Sequence, residues 1–153
     1  MPPKRRGYAA RLRRVVRRPM NLDAKALVWN RAALDGGGRS ARAGDRALAD
    51  ALKVHGLVMN GGVHHAVQAV GELEVQAAAA GFEYFGLSSI AEVLRRVQHD
   101  PKLREWSDAT EEEANRLYWA VLPDDGGLAA RFEQVFRDKP TEFGPIDDAS
   151  PIV

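Results

Sequence analysis

Four histidines are the first side chains to weigh for chemistry, because imidazole titrates nearest neutral pH and ligates metals readily. They are His55, His64, His65 and His99. His55 falls on the apolar face of a helical stretch, the setting of a satisfied core histidine. His64 and His65 are adjacent, so on a helix they point about 100° apart and are poorly placed to grip one metal. His65 and Glu72 stand two helical turns apart and can share a face. None of this matches the two-histidine zinc helix with its glutamate base. A hydrolase or metalloenzyme using His55, His64 or His65 is therefore a minor reading, and no cofactor is expected.

Nucleophilic catalysis needs a hydroxyl beside a positioned base. Ser88 and Ser89 are better explained as caps of a following helix. Gly36-Gly37-Gly38 lacks the Lys-Ser/Thr that follows a phosphate-binding loop. The paired acids Glu111 to Glu113, Asp124-Asp125 and Asp147-Asp148 read as solvated helix starts and loop tips. With no cysteine in the chain, thiolate zinc sites, disulfides and cysteine nucleophiles are excluded. The sequence supports no catalytic set, and a non-enzymatic role is expected.

These side chains all fall on or beside helical stretches. The 153 residues, 45% hydrophobic and 28% charged, suit one soluble domain. No apolar run approaches the roughly 20 residues of a membrane span, and the cytoplasm is the expected location. Residues 22–34 place Leu22, Ala26, Trp29 and Ala33 on one face, ended by Asp35 and the three glycines. Residues 45–59 carry Leu48, Leu52, His55 and Met59 at helical spacing, stopped by Asn60-Gly61-Gly62. Val63 to Val70 and Glu72 to Ala80 read as further helices broken at Gly71. Ser89 with Glu92 and Thr110 with Glu113 have capping-box spacing. The first opens a helix on Ile90, Val93, Leu94 and Val97. The second opens one that runs to Leu122, with Leu117, Tyr118, Val121 and Leu122 inward. A last helix carries Leu128, Phe132, Val135 and Phe136 up to Lys139-Pro140. No β alternation of useful length appears. The expectation is an all-α compact bundle or orthogonal array of about six or seven helices, spanning 20–143, with a loose C-terminal tail over 144–153.

A net charge of +1 hides two unlike pieces. Residues 1–19 hold eight cations, Lys4, Arg5, Arg6, Arg11, Arg13, Arg14, Arg17 and Arg18, and no acid. The 14 cations left face 21 acids, so residues 20–153 carry a net charge of −7. Those eight cations are candidate phosphate contacts, with affinity that would fall steeply with salt. Residue 20 is itself a methionine, a second plausible start that would leave the acidic body alone. Trp106 and Trp119, with Glu111 and Glu112, form a candidate partner surface, since amphipathic rings are favoured at interfaces.

Ala49-Asp50-Ala51-Leu52 through Asn60-Gly61-Gly62, then Gly81 to Phe85 and the helix Ser89 to Val97, make an ordered set. Leu117-Tyr118-Trp119 and the close Arg137-Asp138-Lys139-Pro140-Thr141-Glu142-Phe143 complete it. Across residues 45–143 the chain resembles the family of helical domains of unknown function that includes a bacterial DNA mimic protein. It departs at Val63-His64-His65, where the family has an aromatic residue. The resemblance implies an all-helical interaction module and, for one member, imitation of duplex charge. Such imitation needs carboxylates at a density near one per about 1.7 Å of duplex axis. Acids concentrate after residue 99, where 13 face 6 cations. The leading expectation is thus a protein-binding or regulatory module. Nucleic-acid association through the basic tail and acidic mimicry of DNA are the alternatives.

Overall fold

The computed structural model describes residues 23–146. Among them the fold is all-helical: α1 (Ala24–Asp35), α2 (Ala43–Gly61), α3 (Val63–Ala69), α4 (Glu72–Tyr84), α5 (Ser88–His99), α6 (Pro101–Arg104), α7 (Asp108–Trp119) and α8 (Gly126–Asp138), then a 3-10 turn over Pro140–Glu142. The 19-residue α2 is the central element, and α1, α3 and α4 all pack on it. On its far side α4 meets α5, while α3, α5 and α6 pack on α7.

Small residues set the tightest crossing. A Cβ on Gly81 would lie 2.5 Å from the Ala47 carbonyl oxygen, so α2 and α4 approach backbone to backbone there. Buried Ala51, Ala78 and Ala79 keep that seam narrow. Beside this seam, where the Phe143 ring lies against Gly44 of α2, Phe132 gathers rings from four elements: Trp29, Phe85, Phe136 and Phe143, at centroid separations of 5.5 to 6.5 Å. That cluster holds α8 against the bundle by burial of large aromatic surface.

Asn60-Gly61-Gly62 ends α2 as expected, through specific contacts. Gly62 adopts φ 89°, ψ 174°, a region open essentially to glycine. Its N–H donates to Val58 O at 2.8 Å. The Asn115 side chain then accepts from Val63 N–H at 2.9 Å, tying α7 to the start of α3. Gly61 leaves room for the His65 ring, which a Cβ would meet at 2.5 Å.

Several local expectations are corrected. The buried face of α1 is Val28 and Ala32, one step round from Ala26, Trp29 and Ala33. An alanine-rich helix presents no strong apolar stripe, so packing on α2 decides its rotation. Helix α5 starts at Ser88 behind Leu87, and neither Ser88 nor Ser89 caps it through its side chain. The capping box of α7 is Ser107 with Thr110, one turn before the expected pair. Helix α7 stops at Trp119, so Val121 is exposed while Leu122 is buried. The single turn α6, capped by Asp100 onto Lys102 N–H, is too short to show periodicity.

The segment expected to be loose from residue 144 is anchored at its beginning. Asp45, fully buried, accepts from Arg42 N–H at 2.9 Å, Gly144 N–H at 2.6 Å and Arg31 Nη2 at 2.8 Å. Arg31 also donates to Pro145 O and Gly144 O. One carboxylate therefore joins α1, the first turn of α2 and the segment after the 3-10 turn.

Candidate functional site

Two regions assemble residues with chemical character. The first surrounds His55 on the inner face of α2, at a cleft of about 500 Å³ bounded by Trp29, Leu34, Lys53 and Asp125. The ring is 1% exposed. Its Nδ1 lies 2.7 Å from the Tyr118 hydroxyl and its Nε2 lies 2.9 Å from Asp125 Oδ1. Asp125 comes from the turn before α8 and is solvent-facing, with 72% of its side chain exposed. Burial, and then the Asp125 charge, push the Tyr118 phenol far above its ordinary range. The phenol therefore donates to Nδ1, and Nε2–H donates to the carboxylate. Both ring nitrogens are engaged, so no lone pair of His55 faces the cleft. The arrangement bolts α2, α7 and the turn before α8 together.

The second region is the outer side of α7 together with the link that precedes it. Trp106 and Trp119 are 45% and 42% exposed. Trp106 Nε1–H donates to Glu111 Oε2 at 2.9 Å, and the indole lies nearly parallel to the His64 ring at 6.1 Å. The indole is thus fixed in place while still presenting a face to solvent. At 100° per residue, Asp108, Glu112 and Trp119 fall within about 40° of one another round α7. All three are exposed. Glu113, on another side, is paired with Arg116 at 2.8 Å, a contact that holds its carboxyl below its usual range.

The remaining predicted residues fall as follows. His64 is buried, with Nε2 2.7 Å from Leu103 O. His65 covers Gly61, so the adjacent histidines do diverge. Asn60, Gly61 and Gly62 form the α2–α3 corner. Lys4, Arg5, Arg6, Arg11, Arg13, Arg14, Arg17 and Arg18 lie outside the described residues. Among the described residues no three His, Asp or Glu side chains gather as a metal site, and no helix is long and apolar enough to cross a membrane. Sequence reasoning missed Asp125, Asp45 and Asn115. Each bonds a residue 52 to 99 positions away, and no local pattern signals such a pairing.

No family profile, no curated protein and no solved structure matches this chain.

Proposed function

We propose that this chain is a non-enzymatic protein-interaction module whose contact face is the outer side of α7. The observation that carries the reading is Trp119, more than two-fifths exposed, on one stripe of α7 with Asp108 and Glu112, acids that make no ion pair among the described residues, with the similarly exposed Trp106 in the link before the helix. Tryptophan is prominent among the residues that dominate interface energies. Asp108 and Glu112 add negative charge to the same helix, in the part of the sequence after residue 99, where acids outnumber cations two to one. The complementary partner is a protein with a basic surface and an apolar recess for Trp119. The resemblance to a family containing a DNA mimic points the same way, because such partners are built to grip phosphate. The cytoplasm is the proposed setting.

A pull-down from native lysate at low and high salt tests this, run with wild type, Trp119→Ala and Glu112→Lys. A stoichiometric protein recovered by wild type and lost from both variants is the expected result. Identical recovery by all three would remove α7 from the reading. No stoichiometric partner at either salt would remove the module itself.

A second reading rests on the eight cations and no acid of residues 1–19. Through them the full chain would hold duplex DNA or RNA weakly, with a strong salt dependence. A shift assay comparing it with protein begun at Met20 decides: equal retention of nucleic acid by the two sinks this reading.

A further inference from the structure

Helix α1 turns an uncharged face outward. Round the helix, Ala26, Leu27, Asn30, Ala33 and Leu34 all lie within about 60° of the direction opposite its buried Val28 and Ala32. None of the five is buried, and Leu34 is 78% exposed. A helix face left to water ordinarily carries charge. Both cations of α1 are turned elsewhere, Lys25 to Glu133 of α8 and Arg31 to Asp45 of α2. Toward its end the face runs into the cleft of about 500 Å³, whose walls Ala33 and Leu34 share with Leu52 and Gly56 of α2. The acids of that cleft are Asp50 and Asp125, while its lysine, Lys53, is held by Glu74 at 3.0 Å. The last turn of α1 has no basic residue to meet the negative end of the helix dipole.

Residues 8–18 lie outside the described residues, and their sequence complements this face. Tyr8, Leu12, Val15 and Val16 recur at helical spacing, and Arg11, Arg13, Arg14, Arg17 and Arg18 fill the other side. As a helix these residues would span about 16 Å, against about 18 Å for the 12 residues of α1. Pro19 cannot continue such a helix. Asp23, extended at ψ 165°, accepts from Ala26 N–H and starts α1 afresh. A link this short joins antiparallel helical neighbours. We infer that residues 8–18 fold back as a helix along the outward face of α1. Tyr8, Leu12, Val15 and Val16 then sit on Leu27, Ala33 and Leu34, with Lys4, Arg5 and Arg6 brought toward Asp50, Asp125 and the end of α1. This contact is independent of the α7 face, and the failure of either would leave the other untouched.

The chain has no cysteine, so a nitroxide on Ala10→Cys, opposite the apolar stripe, reports where the segment lies in isotope-labelled full-length protein. Amide signals should be lost most strongly at Leu34, Gly36 and Gly56, with those of α6 retained. Leu34→Asp changes an exposed side chain of the folded body, and Leu12→Asp changes the segment itself. Each should weaken docking about tenfold and bring those signals back. Loss that only fades with distance from Asp23 would overturn the inference, as would loss unchanged in both variants. Loss centred on α7 would overturn the placement. Isotope-labelled protein without nitroxide, mixed with nitroxide-bearing protein at natural abundance, should keep its signals. Loss at Leu34 in that mixture would assign the face to the segment of a second copy and overturn docking in cis.

Discussion

Deleting the Tyr118 hydroxyl strands Nδ1 of His55 in the core, because its one donor is that hydroxyl at 2.7 Å. Tyr118→Phe is expected to cost about 1–3 kcal/mol in urea denaturation. Asp125→Asn keeps an acceptor for Nε2 at a solvent-facing position and should cost well under half as much. A Tyr118→Phe midpoint equal to wild type would show that the bolt contributes nothing. Asp50 offers the opposite sign. Burial raises its carboxyl above the ordinary 3.8, Lys53 and Arg46 oppose, and Glu74 adds to the rise. The native state thus holds this proton to higher pH than the unfolded chain. The group's contribution to stability falls as pH climbs from about 3.8 through the raised value, and stays low above it. Asp50→Asn should therefore raise the melting temperature at pH 7 and leave it unchanged near pH 3, and a gain of equal size at both would contradict the burial argument. Single residues were legible where neighbours in sequence define them. His55 shows itself as a core histidine through its spacing with Leu48 and Leu52, whereas Asp125, 70 positions on, cannot be paired with it until the chain has folded.

Helix boundaries follow local chemistry, and helix rotation does not. The stops at Gly36 and Gly62 were readable because both carry positive φ, which the sequence meets with glycine. Capping was misplaced by one turn at α7 because Ser107 and Thr110 compete for the same role at nearly equal spacing, and only the backbone at Glu105 and Ser107 selects between them. The face of α1 was not readable, since alanines on all sides let α2 choose which to bury. Close approach between elements is similarly invisible in sequence: Gly81 reads as an ordinary helix breaker, yet it is the contact point of α4 with α2. Gly81→Ala improves helix propensity by roughly 1 kcal/mol, but its new methyl meets backbone that cannot swing aside. The net effect is expected to be a loss of about 2–4 kcal/mol, read by denaturant midpoint. A stabilised Gly81→Ala protein would mean that the two helices separate without cost.

Across the whole molecule the all-helical class was legible, because apolar residues recur at helical spacing in nearly every segment. The anchoring of the C-terminal segment was not, because it depends on Asp45 reaching 99 positions ahead to Gly144. Asp45→Ala leaves the part-buried Arg31 guanidinium without its carboxylate and is expected to cost about 3–5 kcal/mol, with faster proteolysis around Phe143 and Gly144 as its signature. Asp45→Asn keeps acceptor capacity and should be milder. If cleavage at that segment is no faster in Asp45→Ala, the carboxylate is not what holds it.

That same junction has a topological consequence. Arg31, two turns into the first helix, bonds directly to Pro145 O, so the end of the described chain is tied to the first helix about 10 Å along its axis from the start, and the helices run round a nearly closed circuit. In such a circuit the position of the break is arbitrary to the core. A permuted chain, with Ile146 joined to Asp23 by a short glycine-rich bridge and new ends opened at exposed Gly71, should regain the native helical circular dichroism and cooperative melting. Order of synthesis would then matter little to this fold, and adjacency of its ends would matter a great deal.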